Sequence, residues 1–233
     1  MSEYCHRQGA RLTPRPYRLG QRQAAVDETR RRVLDAATAL LREPTGYTAF
    51  TVDAVAKAAD VARATVYYQF GSKTGLLEAL CDSLAMEGQM DELSQAFTHP
   101  DPAAGLDRFV ACFGRFWGAD RLVMHRLRAL AALDPEVGKV ITARDERRHQ
   151  GLRVLVDRLS REPGRTGRVD VEEAVTVLQA ITSFETFDTL AGPDRELDHA
   201  VPLVTRLLRA VLSGEPTSLN GAAPSLNDNE EDT

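Results

Sequence analysis

Apolar residues recur at helical spacing along most of the chain, and no run holds the period of two that marks a strand. Val33, Ala36, Ala37, Leu40 and Leu41 make one stripe and predict a first helix over about residues 27–42. Asp27 and Glu28 suit its positive start, and Pro44 and Gly46 stop it. Val52, Val55, Ala56 and Ala59 fall at i, i+3, i+4 and i+7 and predict a short second helix, capped by the Thr51 hydroxyl. Asp60 and Val61 interrupt the period, and Asp is one of the few side chains that tolerates left-handed turn geometry. A third short helix is expected from Ala62 to Phe70, with Val66 and Phe70 inward. Gly71 ends it, and Ser72–Lys73 opens the next. That fourth helix is expected to continue to roughly Phe97, a span of about 37 Å at 1.5 Å per residue.

Beyond His99-Pro100-Asp101-Pro102 the helical period persists. It predicts helices from Leu106 to Gly118, from Arg121 to Leu133, and from Pro135, behind an Asp134 cap, to about Arg161. After the Gly- and Pro-rich loop Glu162 to Arg168, two more are expected, about Val169 to Leu190 and Glu196 to Leu212. Pro202 implies a late start or a kink in the last. The pattern is therefore all-α, with about nine helices. Residues 1–26 read as a disordered arm bearing Arg7, Arg11, Arg15, Arg18 and Arg22. Residues 27–78 form a three-helix unit, residues 79–214 a second helical domain, and residues 215–233 a disordered acidic tail.

Charge alters the picture by its distribution. The net charge of −5 argues against a polyanionic partner, but residues 1–80 hold 12 Lys/Arg against 8 Asp/Glu and the remainder 17 against 26. A basic first third on an acidic body fits a nucleic-acid module joined to something else. The outer face of the third helix carries Arg63, Ala64, Thr65, Tyr67, Tyr68 and Gln69. These are small groups, hydroxyls, one guanidinium and one amide, the chemistry that touches phosphates and base edges. The arm fits a minor-groove or phosphate contact, or a solvated tail.

The run Ala64 to Leu80, ATVYYQFGSKTGLLEAL, preceded by Phe50 to Val61, FTVDAVAKAADV, resembles the helix-turn-helix of the TetR family of bacterial transcriptional regulators. Asp60 stands where that family usually has Gly, and Ala62 where it often has a small polar residue, which removes an N-cap. The resemblance implies that Thr51, Thr65, Tyr67, Tyr68 and Lys73 hold phosphates of double-stranded DNA. It implies further that Arg63, Ala64 and Gln69 face bases or the backbone beside them. Arg63 is the expected base reader, bidentate to guanine. It also implies a homodimer formed by the last two long helices, and a small-molecule site among the helices of residues 79–214. Phe113, Trp117, His125, Thr182 and Phe184 are the candidate pocket residues, with Glu185 a further polar group.

The function expected is a DNA-binding regulator, a repressor released from a palindromic operator by its ligand. Two alternatives stay open: a ligand-independent regulator or activator answering to a protein partner, and a helical enzyme or ligand carrier. Against an enzyme, none of the five histidines sits in a catalytic or metal-binding cluster, and no nucleophile elbow or phosphate loop is present. Neither cofactor nor metal is expected. Cys5, Cys81 and Cys112 have no metal-ligand spacing, and Cys81 and Cys112 read as buried apolar groups. With no long apolar run and no secretory signal, the expected setting is the cytoplasm, away from any membrane.

Overall fold

The computed structural model describes residues 15–44, 50–162 and 170–213. The Arg7 and Arg11 part of the arm, Gly46-Tyr47, most of the Glu162–Arg168 loop and the acidic tail lie outside the described residues. Within them the chain is built from α-helices and short 3-10 turns, with no strand. Eleven α-helices are present among the described residues, against the nine expected. They are α1 (Arg15–Arg42), α2 (Val52–Ala58), α3 (Arg63–Phe70), α4 (Lys73–Glu87), α5 (Ser94–Thr98) and α6 (Pro102–Ala119). There follow α7 (Arg121–Leu133), α8 (Pro135–Ser160), α9 (Val171–Ile181), α10 (Phe184–Ala191) and α11 (Val201–Ser213).

Three boundaries differ from expectation, each for a local reason. The first helix starts at Arg15, not Asp27, so residues 15–26 are helical and not part of a disordered arm. Pro16 is tolerated because the first turn has no intrahelical use for its missing N–H. Residues 20–25 are all exposed, so this stretch has no apolar period to read.

The long fourth helix is absent. α4 stops at Glu87, and a 3-10 turn at Met90–Leu93 leads into α5. A Cβ on Gly88 would lie 2.7 Å from the Phe116 Cα, so only glycine lets α6 come this close. Gln89 then takes φ 58° and turns the chain. The expected helix Val169 to Leu190 is also broken, because the Ser183 hydroxyl accepts from the Thr186 N–H and caps α10 afresh. Pro202 gives the late start: a 3-10 turn at Leu197–Ala200 precedes α11.

The chain divides into two compact units that do not follow the expected boundary at residue 78. One comprises the described residues up to Asp91 together with Phe116–Glu146. Its core joins Val33, Ala37 and Leu41 of α1 to Val55, Val66, Leu76, Leu77 and Leu80. The other comprises Glu92–Arg115 and the described residues from Arg147 onward. Its core is Phe109, Leu152, Leu155, Leu178, Phe184 and Phe187, all fully buried. Cys81 and Cys112 are buried as expected, and burial pushes the Cys112 thiol above its ordinary range despite the nearby Arg115.

Candidate nucleic-acid interface and ligand cavity

In the first unit, α2 and α3 form the two arms of a helix-turn-helix. Thr51 caps α2, its hydroxyl accepting from the Ala54 N–H at 3.1 Å. Asp60 sits in the turn at φ 51°, the left-handed geometry expected of it. α3 has no side-chain cap at Ala62, in keeping with the missing hydroxyl. Val66 and Phe70 are buried, which fixes the rotation of α3 about its axis. Arg63, Ala64, Tyr67 and Tyr68 are consequently outward, with Tyr68 83% exposed, and Thr65 is half-buried. A phenol this exposed adds nothing to the core, so its value lies in what comes to that face.

α1 holds α3 from behind. The Arg30 guanidinium lies 4.5 Å above the Phe70 ring and donates to the Gln69 carbonyl at 3.1 Å. Arg32 donates to the carbonyl of Asp60 in the turn. The Gln69 amide donates to the Val26 carbonyl at 3.4 Å. Gln69 is thus half-buried and turned toward α1, whereas the expectation placed it at the bases or the backbone beside them.

Lys73, expected to hold a phosphate, has carboxylate partners in the free chain. Its ammonium donates to Asp134 Oδ2 at 2.5 Å and lies 3.5 Å from Glu136. Burial pulls its pKa down, but the bond to Asp134 and the charges of Asp134 and Glu136 prevail, and it stays above its ordinary value. Lys73 is thus paired within the unit. No feature of the sequence pattern marked this partnership, because Asp134 lies 61 residues away.

The same unit contains a small cavity of about 40 Å³. Its apolar wall comes from Cys81 and Leu84 of α4, Phe116 and Trp117 of α6, and Met124 and Leu127 of α7. Arg128, Ile141, Arg144 and Asp145 complete it. The charges are matched locally. Arg128 donates two bonds to Asp145, at 2.7 and 3.2 Å, and lies 5.5 Å from the Trp117 ring centre. Arg144 donates to Asp82 and to the Glu78 carbonyl. What is left facing the space is almost wholly hydrocarbon and aromatic.

Of the expected pocket residues, only Trp117 lines this cavity. His125 is exposed on α7. Phe113, Thr182 and Phe184 belong to the other unit and are buried in its core. There Thr182 donates to the Leu178 carbonyl and accepts from Arg148, which is itself buried beside Phe113. The hydroxyl is a structural partner of a buried guanidinium. Among the described residues no cluster of His, Cys, Asp and Glu suits a metal ion, and no helix is long and apolar enough to cross a membrane.

A helix-turn-helix with an exposed, hydroxyl-rich second helix is the arrangement of a DNA-binding fold. Residues 33–80 match the family profile of bacterial regulatory proteins of the tetR family. Solved structures of such proteins share the fold. A TetR family transcriptional regulator, PfmR, from Thermus thermophilus is 26% identical, covering 78% of this chain and 97% of that one at a TM-score of 0.53. GusR of Salmonella enterica is 23% identical, covering 80% and 94%, with a TM-score of 0.58. A transcriptional regulator from Saccharomonospora viridis, solved in complex with choline, is 20% identical, covering 78% and 96%, also with a TM-score of 0.58. No curated protein sequence matches the chain. Residues 33–80 thus carry a DNA-binding domain of the tetR type, and the described chain shares the fold of these solved regulators.

Proposed function

We propose that this regulator is a cytoplasmic repressor. As a homodimer it sets two copies of α3 into successive major grooves of a palindromic operator, about 34 Å apart. Arg63 reads a base in each half-site. Ala64 allows α3 to lie close, and Thr51, Thr65, Tyr67 and Tyr68 hold phosphates. An apolar or amphipathic small molecule that enters the cavity beside Trp117 releases the DNA.

The observation that carries this reading is the double use of α7. One side of the helix lines the cavity through Met124, Leu127 and Arg128. Arg126 and Asp120, at the start of the same helix, hold the end of α1. Arg126 donates to the carbonyls of Leu41 and Glu43, and Asp120 accepts from Arg42 at 2.8 Å. A cavity of about 40 Å³ accommodates only a few atoms, against several hundred Å³ for a drug-sized ligand. Entry of a ligand thus requires its walls to part, and a shift of α7 is passed to α1 and from there to α3. Differential affinity for the two arrangements is what links the sites.

The test is operator selection from a randomised duplex library, followed by a compound screen read as release of the selected duplex. A selected palindrome and at least one releasing compound are the expected results. A palindrome with no releasing compound would leave the ligand-independent regulator as the correct reading.

A further inference from the structure

We propose that Asp134 and Glu136 regulate DNA affinity by competing with a backbone phosphate for the ammonium of Lys73. The carboxylates at the start of α8 then act as an internal substitute for DNA. This rests on the DNA-binding reading above and concerns the regulation of that same face.

Lys73 is the first residue of α4, directly after the Ser72 cap. A cation at a helix N-terminus is opposed by the helix dipole, and the first turn of α4 contains no acidic residue to offset it. The side chain therefore gains from any anion within reach. In the free chain that anion comes from α8. Asp134 Oδ2 accepts from Lys73, while Asp134 Oδ1 caps α8 by accepting from the Glu136 N–H at 2.9 Å. The carboxylate is fixed to α8 by its capping bond and cannot travel with Lys73. Glu136 adds a second negative charge at 3.5 Å.

The Lys73 side chain retains only 21% of its exposure. A phosphate that approached it in place would lie beside two carboxylates and be repelled. The contacts are therefore alternatives: Lys73 pairs with α8, or it turns to the duplex. Asp134 also directly follows Leu133, the last residue of α7, so the helix that walls the cavity ends at this pair. Movement of α7 sets how firmly Lys73 is held.

The experiment uses the full chain and a duplex selected from a randomised library on the wild-type protein. Binding is measured by fluorescence anisotropy over a series of salt concentrations. The variants are Asp134→Asn with Glu136→Gln, Lys73→Gln, and all three together. Asn is an able N-cap, so α8 keeps its start. The carboxylate double variant is expected to bind about tenfold tighter, with a log–log salt slope steeper by about one per subunit. Lys73→Gln alone should change little, and in the double variant it should remove the gain.

Unchanged affinity and slope in the double variant overturn the proposal. So does a gain that survives Lys73→Gln, since that would be general relief of negative charge. Should the double variant fail to fold, Glu136→Gln alone removes an exposed carboxylate. It is expected to give about a threefold gain, and no gain overturns the proposal. A wild-type chain that retains no duplex from the library overturns the DNA-binding reading, a result distinct from wild-type binding with unaltered variants.

Discussion

Arg63 Nη1 donates to the Asp53 carboxylate at 3.0 Å, so the residue that heads α3 is held by the first turn of α2. Arg63 Nη2 donates to the Tyr67 hydroxyl at 3.2 Å, and the guanidinium lies 5.4 Å from that ring centre. Tyr67 first, and then Asp53, keep the guanidinium above its already high ordinary pKa. Two of its donor sites are thereby committed and its direction is set before any base arrives. Arg63→Ala is expected to weaken the selected operator by about ten- to hundredfold and to relax preference at one base pair per half-site. Asp53→Asn should act in the opposite sense on random duplex, binding it more tightly, while discrimination at that base pair falls. Equilibrium binding to operator variants checks both. Unaltered base preference in Arg63→Ala would mean that the rotation of α3 assigned here is wrong.

The helical start at Arg15 gives the N-terminal arginines a different setting from a loose arm. Residues 20–25 are exposed on a helix that leads into the DNA-facing unit. Deleting residues 1–22 is expected to lower duplex affinity and flatten the salt slope, because Arg15, Arg18 and Arg22 are removed. The melting temperature should be nearly unchanged, since residues 20–25 are exposed and Val33, the first fully buried among the described side chains of α1, lies well beyond the cut. Anisotropy and thermal melts on the truncated chain decide it. Equal affinity would leave the extension as a solvated helix.

The helix-turn-helix was legible residue by residue. Its apolar stripe, its Thr51 cap, its Asp60 turn and its inward Val66 and Phe70 are all consequences of spacing within one short window. What was not legible depends on distant partners. Lys73 meets Asp134, Gln69 meets Val26, and Gly88 lies under Phe116, contacts that no local period announces. The missed extension of α1 has the reverse cause. Residues 20–25 are exposed, so periodicity had nothing to record there. Aromatic content does not distinguish a filled core from a wall: Phe113 and Phe184 are core, while Phe116 and Trp117 border the cavity.

Arg126 gives a test of the α7 pathway that leaves the cavity wall alone. Its guanidinium closes two carbonyls at the end of α1, Leu41 and Glu43, which the helix itself leaves without partners. Arg126→Met retains the stem and removes both bonds. The expected cost is about 2 kcal/mol of stability in urea melts, the scale of hydrogen bonds to a charged group. A ligand should still bind this variant, but release of DNA should be blunted. A variant that releases DNA as the wild type does would exclude this contact as the route.

The Lys73 pair also has a pH signature. The Lys73 bond comes first among the causes that hold the Asp134 carboxyl below its ordinary value of 3.8. A depressed folded-state value means that the unfolded chain binds the proton more readily in acid. The contribution of Asp134 to stability is therefore complete above that ordinary value and is lost as pH falls through the folded one. Asp134→Asn should be less stable than wild type at pH 6, and the gap should narrow progressively as pH falls below 3.8. Urea melts of both over a falling pH series measure it. A gap that persisted in acid would assign the loss to capping and not to charge.

Trp117 makes the coupling itself measurable. It is the only tryptophan, it borders the cavity, and the Arg128 guanidinium sits 5.5 Å from its ring centre. A molecule that parts these walls must change the surroundings of that ring, so binding should be read directly as a change in its fluorescence. Each hit is then titrated a second time with the operator bound. A hundredfold loss of DNA affinity corresponds to about 2.7 kcal/mol of coupling, and linkage requires bound operator to weaken the ligand by the same factor. The expected result is therefore a pair of Trp117 titrations displaced by about two decades. Trp117→Phe should abolish the optical signal while leaving DNA release by the same compound in place. A compound whose titrations coincide with and without operator binds both arrangements equally and shifts nothing, however tight it is. If every binder behaved in that way, the cavity would be a packing defect beside α7, and regulation would have to come from a protein partner.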